Sequence, residues 1–174
     1  MEEYTPIIRT EALTRTFSSA AGEVHALQDV TLAIRPQCLN LLNGKSGSGK
    51  TTLINLLGSL DRPTSGKIFF EDKELSALPE RERDKLRRTR IGFVFQSVAL
   101  MSAMTALENV EFGLRVAGFP AAGRRERALE CLDYVGLAKR AAHLPQEMSG
   151  GEQQRVAIAR AIAHRPAVIF ADEP

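Results

Sequence analysis

The spacing of apolar residues changes several times along the chain, and each change marks an element. Residues 7–13 alternate in part, as a half-buried strand does. Residues 15–22 read as a turn-rich break. Residues 24–34 carry period-two segments for one or two strands, ended by Arg35-Pro36. Residues 38–42 form a short, mostly apolar run of buried-strand type, and residues 53–57 carry apolar side chains at helical spacing. A short strand follows at 67–70, between turns at 61–66 and 71–73. Residues 79–90 are dense in charge of both signs, the pattern of a solvated helix with i,i+4 pairs. Residues 91–95 form a buried-type strand. Thr105-Ala106-Leu107-Glu108 is a capping box, and its helix runs to about 117 before Gly118 stops it. A further helix covers 123–135, with Gly136 as its stop. Ser149-Gly150-Gly151-Glu152 is a second capping box, and its helix ends near Arg165, before Pro166. Residues 167–171 close the chain as a buried strand of parallel type. Strands alternating with helices predict an α/β fold, helical over 97–162.

One stretch carries more than pattern. Gly44-Lys45-Ser46-Gly47-Ser48-Gly49-Lys50-Thr51 matches G-x-x-x-x-G-K-[ST], lies between an apolar run and a helical run, and is followed by Thr52. Gly44, Gly47 and Gly49 let the backbone turn its N–H groups onto phosphate oxygens. A helix opening at Lys50 aims its positive end at the same place. Lys50 reaches the β/γ-phosphates, the Thr51 hydroxyl ligates Mg2+, and Thr52 is within reach of the α-phosphate. At the other end, Asp172 and Glu173 follow an apolar strand. Alone the pair is a turn. Beside a phosphate loop, Asp172 suits an outer ligand of Mg2+ and Glu173 a base that orients and deprotonates water. Gln96 puts an amide where a strand stops, which serves an active-site loop or a strand cap equally. Stretch 97–104, with Ser97, Val98, Leu100, Met101 and Met104, is either a docking surface for an apolar partner or local core. Phe17 offers a ring to an adenine base or to ordinary packing, with Val24 beside it, and spacing alone favours packing. The two glycines after Ser149 are poor helix formers, so something approaches that backbone closely, and a helix N-terminus favours an anion.

Composition narrows the picture. The chain has 174 residues, enough for one core and too few for two full-sized domains. Its net charge of +2 gives no reason to expect nucleic acid. No apolar run approaches a membrane span, and residues 1–4 lack a leader pattern, so the expected place is the cytoplasm. Cys38 and Cys131 fit no metal or redox spacing and read as small buried hydrophobes.

The sequence resembles the ATP-binding subunits of ABC transporters over essentially its whole length. It looks like Walker A at Gly44 to Thr51, the Q-loop at Gln96, the ABC signature at Met148-Ser149-Gly150-Gly151-Glu152, and Walker B through Asp172, with Glu173 after it. Gly92 to Gln96 and Thr105 to Val110 carry a finer likeness to the bacterial lipoprotein-release, macrolide-export and antimicrobial-peptide-export branch, together with the cell-division ATPase. The resemblance implies an ABC ATPase fold: a P-loop NTPase core over 1–96 and 163–174, an N-terminal β-rich part, and a helical subdomain over 97–162. It implies ATP and Mg2+ as ligands, with Thr51, Gln96 and Asp172 around the metal. Two copies pair head-to-tail, and Ser149, Gly150 and Gly151 of one cover the ATP on the other's loop. Gln96 senses the γ-phosphate and the metal, residues 97–104 face a transmembrane subunit, and the protein sits on the inner face of the cell membrane. Phe17 becomes the adenine-stacking aromatic.

Met148 and Glu152 depart from the commoner Leu and Gln, and Glu152 brings negative charge near the γ-phosphate unless it caps the helix. Asn40 and Asn43 are polar where the family's strand is apolar. The family continues past Pro174 to further strands and a switch histidine, a place that His25, His143 and His164 cannot fill. The resemblance thus implies a piece of a longer subunit, with little hydrolysis of its own. A non-transport ATPase of the cell-division type shares every motif, and a fragment that binds nucleotide without turnover fits too. A soluble ABC ATPase of repair or translation fits less well because those usually carry long insertions or tandem domains, and a P-loop kinase fits Walker A but leaves Ser149, Gly150, Gly151 and Glu173 unexplained.

Overall fold

The computed structural model describes residues 5–19 and 22–173. Residues 1–4, Ala20, Ala21 and Pro174, with the expectations placed on them, lie outside that range. The chain forms two compact units, Met1–Arg83 and Asp84–Pro174.

In the first unit, β1 (Ile8–Ser19) pairs antiparallel with β2 (Gly22–Ile34) and with β3 (Ser65–Phe70), and β3 pairs with β4 (Lys73–Glu74). The strand order is β2-β1-β3-β4. Residues 15–19, expected as turn, continue β1: Arg15 faces Leu27 and Phe17 faces Val24. Cross-strand pairing overrides the local turn composition here, and three register shifts along the ladder absorb the mismatch. Residues 24–34 form one strand rather than two. Buried Ile8, Leu13, Leu27, Ile68 and Phe70 line the unit, with α1 (Lys50–Leu57) contributing Leu53, Leu56 and Leu57.

Other expectations also fail in this unit. Residues 38–42 are not a strand, and Leu39 and Leu41 are 87% and 86% exposed. Among the described residues no strand pairs with this run, and the Asn40 amide donates instead to the carbonyls of Arg35 and Cys38. Side-chain bonds to nearby backbone compete with a ladder. Cys38 is exposed for the same reason, whereas Cys131 is buried as expected. The charged helix α2 (Glu80–Arg90) forms, but Arg83 on it is only 4% exposed.

In the second unit, β5 (Ile91–Val94) and β6 (Val168–Ala171) run parallel, Ile91 beside Val168 and Val94 beside Ala171. The chain between them makes α3 (Ala106–Val116), α4 (Arg124–Tyr134) and α5 (Gly150–Ile162). Thr105 caps α3 through both bonds of a capping box. Gly118 and Gly136, at φ of +80° and +71°, follow α3 and α4. Leu107, Val110, Leu114, Ala128, Cys131, Leu132, Val156 and Ala159 close a helical core, and Met148 joins it. β6 is less buried than a central strand: Ile169 is 45% exposed, and among the described strands only β5 pairs with it.

Candidate functional site

The phosphate loop of the first unit ends where α1 begins. Gly49 is the N-cap residue at φ +86°, and a Cβ there would stand 2.4 Å from the Ala26 carbonyl oxygen, so only glycine fits. Lys50 Nζ donates to the carbonyls of Gly44 and Lys45, at 2.8 and 3.0 Å, and the loop closes around its ammonium. Lys45, Ser46, Gly47 and Ser48 are exposed. No side chain caps α1, and no acidic residue lies in its first turn. Exposed backbone, a lysine beside it and a helix start without a side-chain cap are features that can receive an anion. Thr51 is exposed in the first turn and Thr52 half-buried beside it.

The second unit brings two expected residues into contact. Gln96 follows β5, and Asp172 and Glu173 follow β6, so parallel pairing sets all three at carboxyl ends of neighbouring strands. Asp172 N–H extends the ladder to the Val94 carbonyl at 3.0 Å. Gln96 Nε2 donates to Glu173 Oε2 at 2.7 Å. Stacked Phe93 and Phe95, with ring centroids 5.4 Å apart, flank the strand end.

At the start of α5, Ser149 Oγ accepts from Glu152 N–H at 3.3 Å. Glu152 Oε2 accepts from Ser149 N–H and Oγ at 2.8 and 3.0 Å. Arg140 Nε lies 3.3 Å from Glu152 Oε1. The carboxylate that threatened a neighbouring phosphate is therefore consumed as a cap. Hydrogen bonds from Ser149, backbone first, hold its pKa below the ordinary value. A Cβ on Gly150 would meet nothing within 4 Å, and one on Gly151 only the Arg155 guanidinium at 3.9 Å. Packing among the described residues therefore does not require glycine at either position.

Loop 97–104 is held more firmly than its composition foretold. Asn109, 1% exposed on α3, accepts from Met101 N–H at 2.8 Å and donates to the carbonyls of Met101, Met104 and Thr105. Arg160 on α5 donates to the Ala99 carbonyl at 2.8 Å. Leu100 packs on the helical core, as the local-core reading expects, while Met101 is exposed. Sequence reasoning missed Asn109, although one amide on the apolar face shared by Ala106, Val110 and Leu114 was a signal.

Phe17 stands near the turn end of the β1–β2 hairpin, 39% exposed, with Val24 opposite it at 56%. His25 bonds Thr16, His143 bonds Arg140, and His164 sits against the Ile91 carbonyl. The second unit sets an amide oxygen (Gln96) and a carboxylate (Asp172) after neighbouring strand ends, and the first unit exposes the Thr51 hydroxyl; each by itself is a hard oxygen donor of the kind Mg2+ takes. Among the described residues no helix is long and apolar enough to cross a membrane.

The ABC transporter family profile matches residues 27–174. An uncharacterized ABC transporter ATP-binding protein of Thermotoga maritima is 49% identical over 87% of this chain and 65% of its own length. The macrolide export ATP-binding/permease protein MacB of Rhodopseudomonas palustris is 48% identical over 96% of this chain and 26% of its own. The chain thus spans under two thirds of one relative and about a quarter of the other. A solved dimeric structure of the ATP-binding cassette MJ0796, bound to ADP and Pi, is 42% identical and superposes with a TM-score of 0.90. It covers 96% of this chain and 74% of that one. With a profile match over most of its length and a cassette fold at that identity, the chain belongs to the ABC transporter family as an ATP-binding domain.

Proposed function

We propose that this chain binds and hydrolyses ATP to drive transport across a membrane. The observation that carries the reading is the closed, exposed phosphate loop: Lys50 held by Gly44 and Lys45 at the uncapped start of α1. The solved relative holds ADP and Pi, which supports the same ligand class here. Gly44 to Gly49 and the N–H groups entering α1 would bind the phosphates, with Lys50 on the β/γ oxygens and Thr52 toward the α-phosphate. Phe17 would stack on the base. Mg2+, held by Thr51 with Gln96 and Asp172, would supply charge neutralisation on the phosphate oxygens.

Glu173 acts as the base. Its carboxylate orients a water and accepts its proton, and Gln96, bonded to it at 2.7 Å, fixes the carboxylate's position. The bare glycines 150 and 151, capped by Ser149, would cover a nucleotide held by a second copy. Dimeric cassettes among the relatives support that arrangement. Loop 97–104, tied down by Asn109 and Arg160, would present Met101 to a transmembrane subunit on the inner face of the membrane. The corresponding division of labour is a core over 1–96 and 163–174 and a helical subdomain over 97–162.

Steady-state phosphate release by Glu173→Gln tests the reading. Loss of turnover with MgATP affinity retained supports Glu173 as the base, and a wild-type rate excludes it.

A further inference from the structure

We propose that Arg15 and Asp61 are positioning residues for the ring of Phe17, so that the nucleobase platform is a three-layer stack rather than a lone aromatic. The proposal rests on the reading of Phe17 given above.

Arg15 and Phe17 are two apart on β1 and share a face. The Arg15 guanidinium carbon lies 4.3 Å from the centroid of the Phe17 ring, within cation–π range. One face of the ring is thereby covered. The ring is still 39% exposed, which leaves surface for a base.

The guanidinium is itself fixed. Its Nε and NH2 donate to Asp61 Oδ2 and Oδ1, at 2.9 and 3.1 Å, a two-pronged pairing that sets the plane of the fork. Asp61 Oδ1 also accepts from the Arg62 N–H at 2.7 Å. The Asp61 carbonyl accepts from Arg83 NH2 at 2.6 Å, and the same buried guanidinium holds the carbonyl and hydroxyl of Ser59. Leu60 and Asp61 donate back to the Asn55 carbonyl of α1. An unbroken run of bonds therefore leads from the helix that carries Lys50 and Thr51 to the ring at the hairpin end. Its consequence is a guanidinium held in place relative to α1, which backs one face of the ring and restricts where it can sit. Pre-organisation of this kind raises affinity for the base and leaves the phosphates untouched.

A purely structural ion pair would fasten β1 to the turn after α1 and nothing more. The two roles separate if MgATP is compared with magnesium tripolyphosphate, which lacks the base. Calorimetry of both ligands is made on the wild type, Phe17→Ala, Arg15→Ala, Arg15→Lys and Asp61→Asn. Phe17→Ala is expected to lose about tenfold in MgATP affinity, the scale of one stacked base. Arg15→Ala and Asp61→Asn are expected to lose about threefold. Arg15→Lys, which keeps a cation above the ring, retains most of the affinity. Tripolyphosphate binding stays the same throughout.

If Phe17→Ala weakens MgATP alone while Arg15→Ala and Asp61→Asn do not, the proposal falls and the platform reading stands. If Phe17→Ala leaves the ratio of the two affinities unchanged, the platform reading itself falls. If Arg15→Ala and Asp61→Asn weaken both ligands equally, their role is structural and the proposal falls.

Discussion

Replacing Asn109 should unfasten loop 97–104 without touching any residue assigned to nucleotide. The side chain accepts one hydrogen bond from the Met101 N–H, and its two N–H donors are shared among the carbonyls of Met101, Met104 and Thr105, all between 2.8 and 3.1 Å. Each net bond is worth about 1 kcal/mol, and a partner left dry costs more. Carbonyls freed near the exposed Met101 recover some water, which offsets part of the loss. Asn109→Ala should therefore destabilise the second unit by about 2–4 kcal/mol. Asn109→Asp should be worse, because three carbonyl oxygens face the Nδ2 position and a carboxylate there offers no donor. Burial and those carbonyls would raise the new carboxyl's pKa in the folded state. The folded protein then binds more protons than the unfolded one between the two pKa values, so stability of this variant falls as pH rises. Urea unfolding followed by circular dichroism gives the global change. Hydrogen exchange at the Met101 amide, which donates to Asn109 Oδ1, gives the local one. A change under about 0.5 kcal/mol in Asn109→Ala, with Met101 still protected, would show that the loop is held by something else.

Other outcomes follow from single contacts. Gly92→Ala would place a Cβ 2.5 Å from the Ala161 carbonyl oxygen, between β5 and α5. It should lower stability by about 2–3 kcal/mol in urea titration, and a neutral result would mean that β5 can shift away from α5. His164 has its pKa lowered, first by burial, against a smaller opposing effect of its bond to the Ile91 carbonyl. Its neutral form is therefore favoured on folding. That contribution is complete above the unfolded value of about 6.5 and is lost as pH falls below it. Stability measured from pH 8 to 5 should decline less in His164→Gln than in the wild type, and parallel profiles would remove this residue from the pH response.

Much of the site was legible because its chemistry is local. A glycine spacing, a capping box and an acidic strand end each report themselves within a few residues; the capping box and the strand before Asp172 form as expected, whereas the glycine loop opens a helix without the strand expected before it. Contacts distant in sequence were not legible. Gln96 and Glu173 meet only because β5 and β6 pair in parallel register, 77 residues apart. Arg83 looked like one charge among many, yet it is buried because the turn after α1 offers carbonyls to receive it. Residues 38–42 mark the opposite failure. Their apolar pattern is that of a strand, but a pattern forms a strand only where a neighbour accepts its hydrogen bonds. The strand at 15–19 shows that such a neighbour can also create one against local propensity.

The phosphate loop is where the whole interpretation stands, and MgATP titration of the protein and of its Lys50→Ala variant by calorimetry probes it most directly. The wild type should bind, and removal of the ammonium that the loop encloses should weaken binding by at least about tenfold. Equal affinity in the two proteins would mean that the triphosphate is not held by this loop.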